Sequence, residues 1–437
     1  NNNFSSQWNI GDAEVVRALE VSTTNGLVIR NNQFTHLRQP AYINDNTTGV
    51  IENNYVSDTK GWVVVANTNM TFTGNTFGTN VVDIAFIPGT PNNYTNIPAI
   101  SAANGNAAIE NQATSPATLA HVYVDGSVGV TGNGTQSSPY KTIAEAMTRV
   151  ADNGTVTVAA GTYAENVAIT KPLTLKGANS GTAGNGTRVA ETVVDGGSTS
   201  APFAVSANDV TINGFTIKGG VNNLNSGVWS TATNQNLTVT NNVITDNAIG
   251  VYAQCANNCT ISNNLFDANN QVGSAGGSGI YAENSTNLTI SGNEFKNHTQ
   301  GNPIILASVA SPSHTNIVVT NNNFHDNAYS NVYVLSVSNG TFTNNTVTPA
   351  SDSTGFSFSG GNSDITITGN TITNGQRGIR IEDAGYGIGS NSNFTIRENN
   401  LSGNTEYGIG VTAGGYASGT INARLNVWGA ASGPATT

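Results

Sequence analysis

The stretch LTVTNNVI at residues 237–244 decides the fold, because close copies of it return along the chain. The next two copies are CTISNNLF at 259–266 and LTISGNEF at 288–295. In each copy, apolar residues alternate with Thr or Ser, and an asparagine, one free residue and a large apolar residue follow. Alternation with a period of two indicates strands, since a helix repeats every 3.6 residues. We therefore predict a protein built from repeated short β-strands.

The asparagine of this pattern returns at intervals of 22 to 29 residues, at Asn242, Asn264, Asn293, Asn322, Asn345, Asn370 and Asn399. The same pattern includes Asn213 before this series and an earlier group at Asn2, Asn32, Asn54 and Asn75. A unit of this length with two or three strands is typical of one coil of a parallel β-helix. Coils stack about 4.8 Å apart, so matching asparagines should form a ladder in which each amide donates and accepts. The expected fold class is all-β, a parallel β-helix solenoid.

Within the 437 residues, the repeat fades after Phe77 and starts again beyond residue 120. We predict a first solenoid over 1–95, a linker over 96–120 that is rich in Ala, Asn and Ser, and a second solenoid over 121–437. The segment TIAEAMTRVA at 142–151 predicts a helix, with Thr142 and Glu145 as its capping box. Because the first coil of a solenoid leaves strand edges open, this helix is expected to cover the second solenoid. The opening NNNF fits the inside of a coil, so we interpret it as part of a longer repetitive chain, as a cleaved product or as a subunit edge that is covered.

Composition excludes several function classes. Only 9% of the residues are charged and the net charge is −11, without a basic cluster, which argues against a nucleic-acid or anionic-lipid partner. No apolar run reaches the roughly 20 residues that a membrane-spanning helix needs, so membrane insertion is not expected. The two cysteines, Cys255 and Cys259, allow a local disulfide, a pair of free thiols or a metal site. The disulfide, which requires an oxidising compartment, is the interpretation that we favour.

Two segments resemble a known class of proteins. Residues 121–179 resemble the N-terminal module of right-handed parallel β-helix proteins of the pectate-lyase-like superfamily, and LNVWGAASGP at 425–434 is similar to the last coil of bacterial extracellular β-helix repeat proteins. The resemblance implies a right-handed helix and a secreted or cell-surface location. It does not specify a function, because this scaffold hosts lyases, hydrolases, esterases, adhesins and structural proteins.

Enzymes of this superfamily act on acidic polysaccharides with clustered Asp, Arg, Lys or His, often with calcium. The adjacent Asp pair and the Gly-His-Gly element of polygalacturonase-like enzymes do not occur in this sequence. The segment RGIRIED at 377–383 resembles their Arg-containing strand, so Arg380, Glu382 and Asp383 are the catalytic candidates if the protein is an enzyme. We predict no metal site and no cofactor; calcium stays open, although no D-x-D-x-D run is present.

A second strand follows each asparagine, and its alternation predicts an outward column of large side chains. The members are Trp229, Tyr252, Tyr281, Tyr333 and, at its end, Arg380. Aromatic rings on a long groove could stack on the sugars of a glycan. Alternatively, rings on neighbouring coils stack on each other and shield the sheet.

Three functions remain open from the sequence. The first, which we favour, is a non-enzymatic extracellular structural or adhesive protein, such as a surface-layer, stalk or filament subunit. Its copies would associate head to tail through strand addition at the ends of the β-helix. The second is a polysaccharide lyase or hydrolase, and the third is a non-catalytic module that binds a polysaccharide along the aromatic face of the second solenoid.

Overall fold

The computed structural model describes residues 2–429 except 90–91, 95, 113–117, 130, 133, 137, 199, 222–225, 274–275, 308–313, 384 and 418. The chain divides into two compact units, Asn1–Ala151 and Asp152–Thr437. Both units are made of short strands that pair in parallel with the strand one coil away. The predicted fold, a parallel β-helix solenoid, is confirmed.

The first unit contains three small parallel sheets. One sheet contains Asn3–Ser5, Gln33–Thr35, Tyr55–Ser57 and Thr76–Phe77. The second contains Arg17–Ser22, Gln39–Asn44, Trp62–Val65, Ile84–Ile87 and Ile109–Asn111. The third contains Leu27–Arg30, Thr48–Glu52 and Asn69–Thr73.

Two short helices and one more strand follow these coils. The helix Ile97–Ala102 and the strand Ile109–Asn111 lie within the stretch that we expected to be a linker, and Ile97, Ile100 and Ile109 pack against the first core. The strand Leu119–Val124 comes next, and the helix Ile143–Arg149 has the capping box that the sequence predicts. The predicted boundaries at residues 95 and 120 stay a prediction. Neither helix in the described part of the chain is long and apolar enough to cross a membrane.

The second unit winds through three long sheets. One sheet contains Val150–Val158, Leu173–Lys176, Val210–Asn213, Thr238–Thr240, Thr260–Ser262, Thr289–Ser291, His314–Thr320, Val337–Thr343, Ser363–Thr368 and Ser392–Arg397. The next contains Gly161–Ala164, Thr192–Asp195, Thr216–Lys218, Val243–Thr245, Leu265–Asp267, Glu294–Lys296, Asn323–His325, Thr346–Thr348 and Thr371–Ile372.

The third long sheet provides the outer face on which the candidate site lies. Its strands are Val167–Ile169, Phe203–Val205, Ser226–Ser230, Ile249–Ala253, Ser278–Ala282, Ile304–Leu306, Val332–Val334, Thr354–Phe358, Arg377–Ile381 and Tyr407–Val411. A separate small sheet consists of Asn234–Gln235 and Cys255–Asn257, each of which follows a strand of the third sheet in the sequence.

The asparagines form a continuous buried ladder, the inner ladder, from Asn242 to Asn399. In each step the side-chain Nδ2 donates to the Oδ1 of the next asparagine at 2.9–3.0 Å. The Asn399 side chain donates in the same way to Asn426 at 3.0 Å. Each Nδ2 also donates to a backbone carbonyl of the preceding coil, so the amides are satisfied although they are buried.

The residue before the ladder asparagine has a left-handed backbone, with a φ of 59° at Asn241 and 55° at Asn263. Asn and Gly adopt this conformation at the lowest cost. The recurring NN and GN pairs are therefore a turn residue followed by a ladder residue. Aromatic side chains stack in the same way, since the Phe295 ring lies 4.7 Å from Phe266 and 4.8 Å from Phe324 between ring centroids.

The start of the first unit has the same organisation. Asn2 donates to the Oδ1 of Asn32 at 3.2 Å, and the Phe4 ring stacks on Phe34 at 4.9 Å. The ladder also extends further than predicted, because Asn75 donates to Asn104 at 2.8 Å. The sequence pattern missed Asn104 because no strand of the repeat type precedes it.

One asparagine assigned to the pattern lies outside the ladder. Phe215, two residues after Asn213, has the ladder position, and its backbone N–H donates to the Oδ1 of Asn242 at 2.9 Å. Asn213 instead accepts from the side chain of Asn241 at 3.0 Å. The assignment of Asn213 was wrong because strand register pairs Asn213 with Thr240, two residues before Asn242. Gly214, which has a left-handed backbone, therefore corresponds to Asn241, and Phe215 corresponds to Asn242.

Candidate functional site

The predicted outward column lies on the third long sheet of the second unit. Strand register aligns Trp229 with Tyr252 and Tyr252 with Tyr281. The column then continues through Ile305 to Tyr333, and through Ser357 to Arg380. The alternation in the sequence therefore identified the correct face.

Tyr252 is a support for this face rather than a contact surface. Its side chain is only 4% exposed and its ring stacks on Tyr281, with 5.7 Å between ring centroids. The phenol Oη donates to the Oε2 of Glu283 at 2.7 Å, and Gln254 donates to the same carboxylate oxygen at 3.1 Å. The ring of Tyr252 is covered and its hydroxyl is occupied in positioning Glu283, so the contact of Tyr252 with a ligand stays a prediction.

Two adjoining cavities lie along the column and share Tyr333. The first, of about 410 Å³, is lined by Tyr281, Glu283, Asn284, Ala307, Tyr333, Leu335 and Tyr386. The second, of about 300 Å³, includes Tyr329, Tyr333, Asp352, Arg377, Arg380 and Glu382 in its lining. We call these two cavities together the tyrosine groove. Trp229 does not belong to the lining of either cavity.

One exposed ring of the groove, Tyr386, lies on a glycine-rich turn. Gly385 and Gly387 on either side of it have left-handed φ values of 77° and 70°. The Asp383 carboxylate accepts from the backbone N–H of Gly385 at 2.9 Å, which fixes the start of this turn. Tyr386 remains 57% exposed at the groove. Sequence analysis missed it because strand alternation gives no information about a residue in a loop.

Tyr329 is the second exposed ring, at 58%, and it lines the second cavity. Its φ of 56° is rare for a bulky side chain, which marks a conformation that the surrounding turn imposes. The sequence signal that could have found it is the pair of tyrosines, Tyr329 and Tyr333, spaced four residues apart in AYSNVY.

The three catalytic candidates have separate structural tasks. Arg380 forms an ion pair with Glu382, with 2.5 Å between Nη2 and Oε2. Glu382 also accepts from Ser359 at 3.0 Å and from Ser357 at 3.3 Å. Asp383 holds the turn described above. The groove therefore contains Arg380 and Glu382 as a neutralised pair, and Asp383 is not in the lining of either cavity.

The tyrosine phenols of this face remain protonated over a wide pH range. Burial, with the negative charge of Glu283, raises the pKa of Tyr281 to about 12 and raises that of Tyr252 further. Burial is also the main reason that the pKa of Tyr333 is raised. The groove therefore offers neutral hydroxyls that both donate and accept hydrogen bonds.

Two other features were considered as sites. Cys255 and Cys259 form a disulfide, so neither sulfur is available as a thiol or a metal ligand. A cavity of about 800 Å³ in the first unit is lined mainly by small and amide residues. Its one ionisable lining side chain among the described residues is Asp83, whose pKa is raised by burial. The tyrosine groove, with its aromatic rings and charges, has the richer chemistry.

Two protein-family models match the second unit. The model described as "Right handed beta helix region" matches residues 268–425, and "Periplasmic copper-binding protein (NosD)" matches residues 151–327. No curated protein matches the sequence at a significant level. The disulfide and the periplasmic family both agree with a location outside the cytoplasm.

Several solved structures have a similar fold at low sequence identity. An alginate lyase from Paenibacillus sp. str. FPU-7 is 14% identical over 68% of this chain and 99% of its own, with a TM-score of 0.40. A double mutant of the periplasmic alginate epimerase AlgG is 11% identical over 95% and 79%, with a TM-score of 0.39. PfbA, a surface adhesin of Streptococcus pneumoniae, is 12% identical over 87% and 84%, with a TM-score of 0.37.

The residues that the structure describes offer no cluster of imidazole, thiolate and carboxylate ligands for a copper ion. Copper prefers thiolate, thioether and imidazole ligands. Both cysteines are in the disulfide, and the described residues contain no group of three or more His, Cys, Asp or Glu side chains that could hold a metal ion.

Coil-by-coil parallel pairing, the buried asparagine ladder and the match to the right-handed β-helix model agree with each other. The chain is a parallel β-helix, and its residues 268–425 match the right-handed β-helix family model.

Proposed function

We propose that the protein is a non-catalytic, adhesive glycan-binding protein of the periplasm or cell exterior, which holds a polysaccharide along the tyrosine groove. The observation that carries this proposal is the pair of exposed rings, Tyr386 in the first cavity and Tyr329 in the second, with Tyr333 in the lining of both. A tyrosine ring offers an apolar face for a sugar ring and a hydroxyl for its polar edge. Because the two rings line different cavities of the same groove, they suit an extended ligand that contacts both.

The state of the charged residues supports binding without catalysis. The two arginines of the groove are each engaged: Arg380 with Glu382, and Arg377 with Glu406 at 2.7 Å. Glu283 is held by Tyr252 and Gln254. Fixed, hydrogen-bonded side chains on strands make a preorganised surface, which lowers the entropic cost of binding.

The experiment is a binding measurement with the full chain and a panel of soluble polysaccharides, by calorimetry or affinity electrophoresis. We expect Tyr386→Ala and Tyr333→Ala each to weaken binding at least about tenfold, since removing an aromatic contact at the centre of an interface costs over 1 kcal/mol. The matched control is Tyr55→Ala, which removes an exposed tyrosine of the first unit. Equal binding by all three variants, or release of shorter saccharides from the polysaccharide, would contradict the proposal.

Head-to-tail assembly into a filament stays a prediction. It is compatible with glycan binding, because the groove lies on the side of the coils rather than at their ends. Electron micrographs of the purified protein would show fibres if it is correct and separate particles if it is not.

A further inference from the structure

The charges around the tyrosine groove determine which glycans it can accept. Four carboxylates, those of Glu283, Asp352, Glu382 and Glu406, line the groove or pair with its lining, against the two guanidinium groups of Arg377 and Arg380. Both guanidinium groups are already committed to a carboxylate. The groove is therefore acidic overall, in a chain whose net charge is also −11.

Glu283 contributes a negative charge to the first cavity of the groove. Its hydrogen-bond partners, the Tyr252 hydroxyl and the Gln254 amide, are neutral groups. No ion pair to Glu283 is formed by the residues that the structure describes. A carboxylate can accept about four hydrogen bonds, so Glu283 keeps acceptor capacity on the wall of the cavity.

From this arrangement we infer that the groove selects neutral, hydroxyl-rich glycans and rejects polyuronates. This inference rests on the proposed glycan-binding function and gives its ligand class. Sugar hydroxyls can donate to Glu283 and Glu382, and to the phenol oxygens of Tyr281 and Tyr333. A uronate carboxylate would instead face fixed carboxylates, while both guanidinium groups of the described lining are already paired, and like charges across an interface are strongly unfavourable.

The cations do not reverse this preference. The charge of Arg380 is already balanced by Glu382, whose other oxygen accepts from Ser357 and Ser359. A uronate at the remaining N–H groups of Arg380 would place a second carboxylate beside Glu382, so repulsion between the two carboxylates opposes its binding. Arg377 has the same constraint through Glu406.

The test compares binding of neutral oligosaccharides, such as xylan, mannan and glucan fragments, with binding of polygalacturonate and polymannuronate fragments of equal length. We expect the uronates to bind at least about tenfold more weakly than the best neutral chain at low salt. Added salt should reduce this difference, because it screens the repulsion. In the double variant Glu283→Gln/Glu382→Gln the difference should fall to about threefold or less. The control Glu14→Gln, at an exposed position of the first unit, should leave it unchanged.

The outcomes are distinguishable. Polyuronate bound as tightly as any neutral chain would overturn the selectivity while leaving glycan binding in place. A protein that binds none of the glycans, with native circular dichroism, would overturn both the selectivity and the proposed function.

Discussion

Two rows of asparagine in the second unit make the same side-chain hydrogen bond in different surroundings. The inner ladder is fully buried, and Asn293, for example, is 1% exposed. The outer row consists of Asn257, Asn287, Asn316 and Asn339, in which each Nδ2 donates to the preceding Oδ1 at 2.6–2.8 Å. In water a lost amide bond is replaced by solvent, whereas in the core the partner groups stay unsatisfied. Identical contacts should therefore contribute very different amounts to stability.

The largest effect is expected for Asn293→Ala. This change removes the acceptor of two Asn264 donors, the backbone N–H and Nδ2, and leaves the Ile261 carbonyl without the donor at 2.9 Å. At roughly 1–3 kcal/mol for each unsatisfied buried group, we expect a loss of about 4 kcal/mol in the free energy of unfolding. Urea denaturation followed by circular dichroism measures it.

The companion variant Asn293→Asp tests the reason for this loss. It keeps an acceptor for Asn264 but removes the donor, and at neutral pH it places a charge in the core. Its destabilisation should shrink in acid, where a protonated carboxyl regains a donor. A loss from Asn293→Ala of under 1 kcal/mol would show that burial does not strengthen the ladder.

An intermediate effect is expected from acid, through a second buried row. Strand register aligns Asn247, Asn269, His298 and Asn327 on successive coils, and the His298 backbone N–H donates to the Oδ1 of Asn327 at 3.0 Å. Burial lowers the pKa of His298 to about 4 from its ordinary 6.5. Between these values the unfolded chain binds a proton that the folded chain does not, so stability falls as the pH falls from about 6.5 to about 4 and then levels off.

The other members of this row are asparagines, so His298→Asn is the natural replacement. It should remove the part of the acid-induced loss of stability that comes from the histidine. We expect the stability of His298→Asn to fall less steeply between pH 6.5 and 4 than that of the parent, as measured by denaturation midpoints across that range. His314 is also buried, and its pKa is likewise lowered to about 4, so part of the loss should remain.

The matched control for this variant is His325→Gln. Its half-exposed imidazole lies 2.6 Å from Asp326 and 3.2 Å from Glu294, and these carboxylates raise its pKa. Protonated His325 stabilises the folded chain in acid, a contribution that is lost as the pH rises through its raised pKa, so its removal should not reduce the acid loss. An unchanged slope in His298→Asn would contradict the assignment of the loss to the buried ring.

The sequence alone was sufficient to predict the coil repeat and most residues of the inner ladder, because stacking forces one residue type into one register position. Alternation also located the outward column from Trp229 to Arg380. It failed where the backbone departs from the coil repeat. Phe215 takes the ladder position because Asn213 lies two residues before it, in register with Thr240, and Tyr386 lies on a loop whose path depends on Gly385 and Asp383. Alternation also does not predict how exposed a side chain is, since Tyr252 and Tyr281 follow the same pattern but Tyr252 is covered.

The smallest effect is expected for Asn316→Gly in the outer row, the counterpart of Asn293→Ala. Asn316 is exposed, donates to Asn287 at 2.8 Å and accepts from Asn339 at 2.7 Å. Glycine is the appropriate replacement because the φ of Asn316 is 56°, which alanine would adopt only with strain. Water replaces both lost hydrogen bonds, so we expect the free energy of unfolding to change by no more than about 0.5 kcal/mol. A loss as large as that of Asn293→Ala would mean that amide rows stabilise this β-helix through their continuity along the axis, whether or not they are shielded from water.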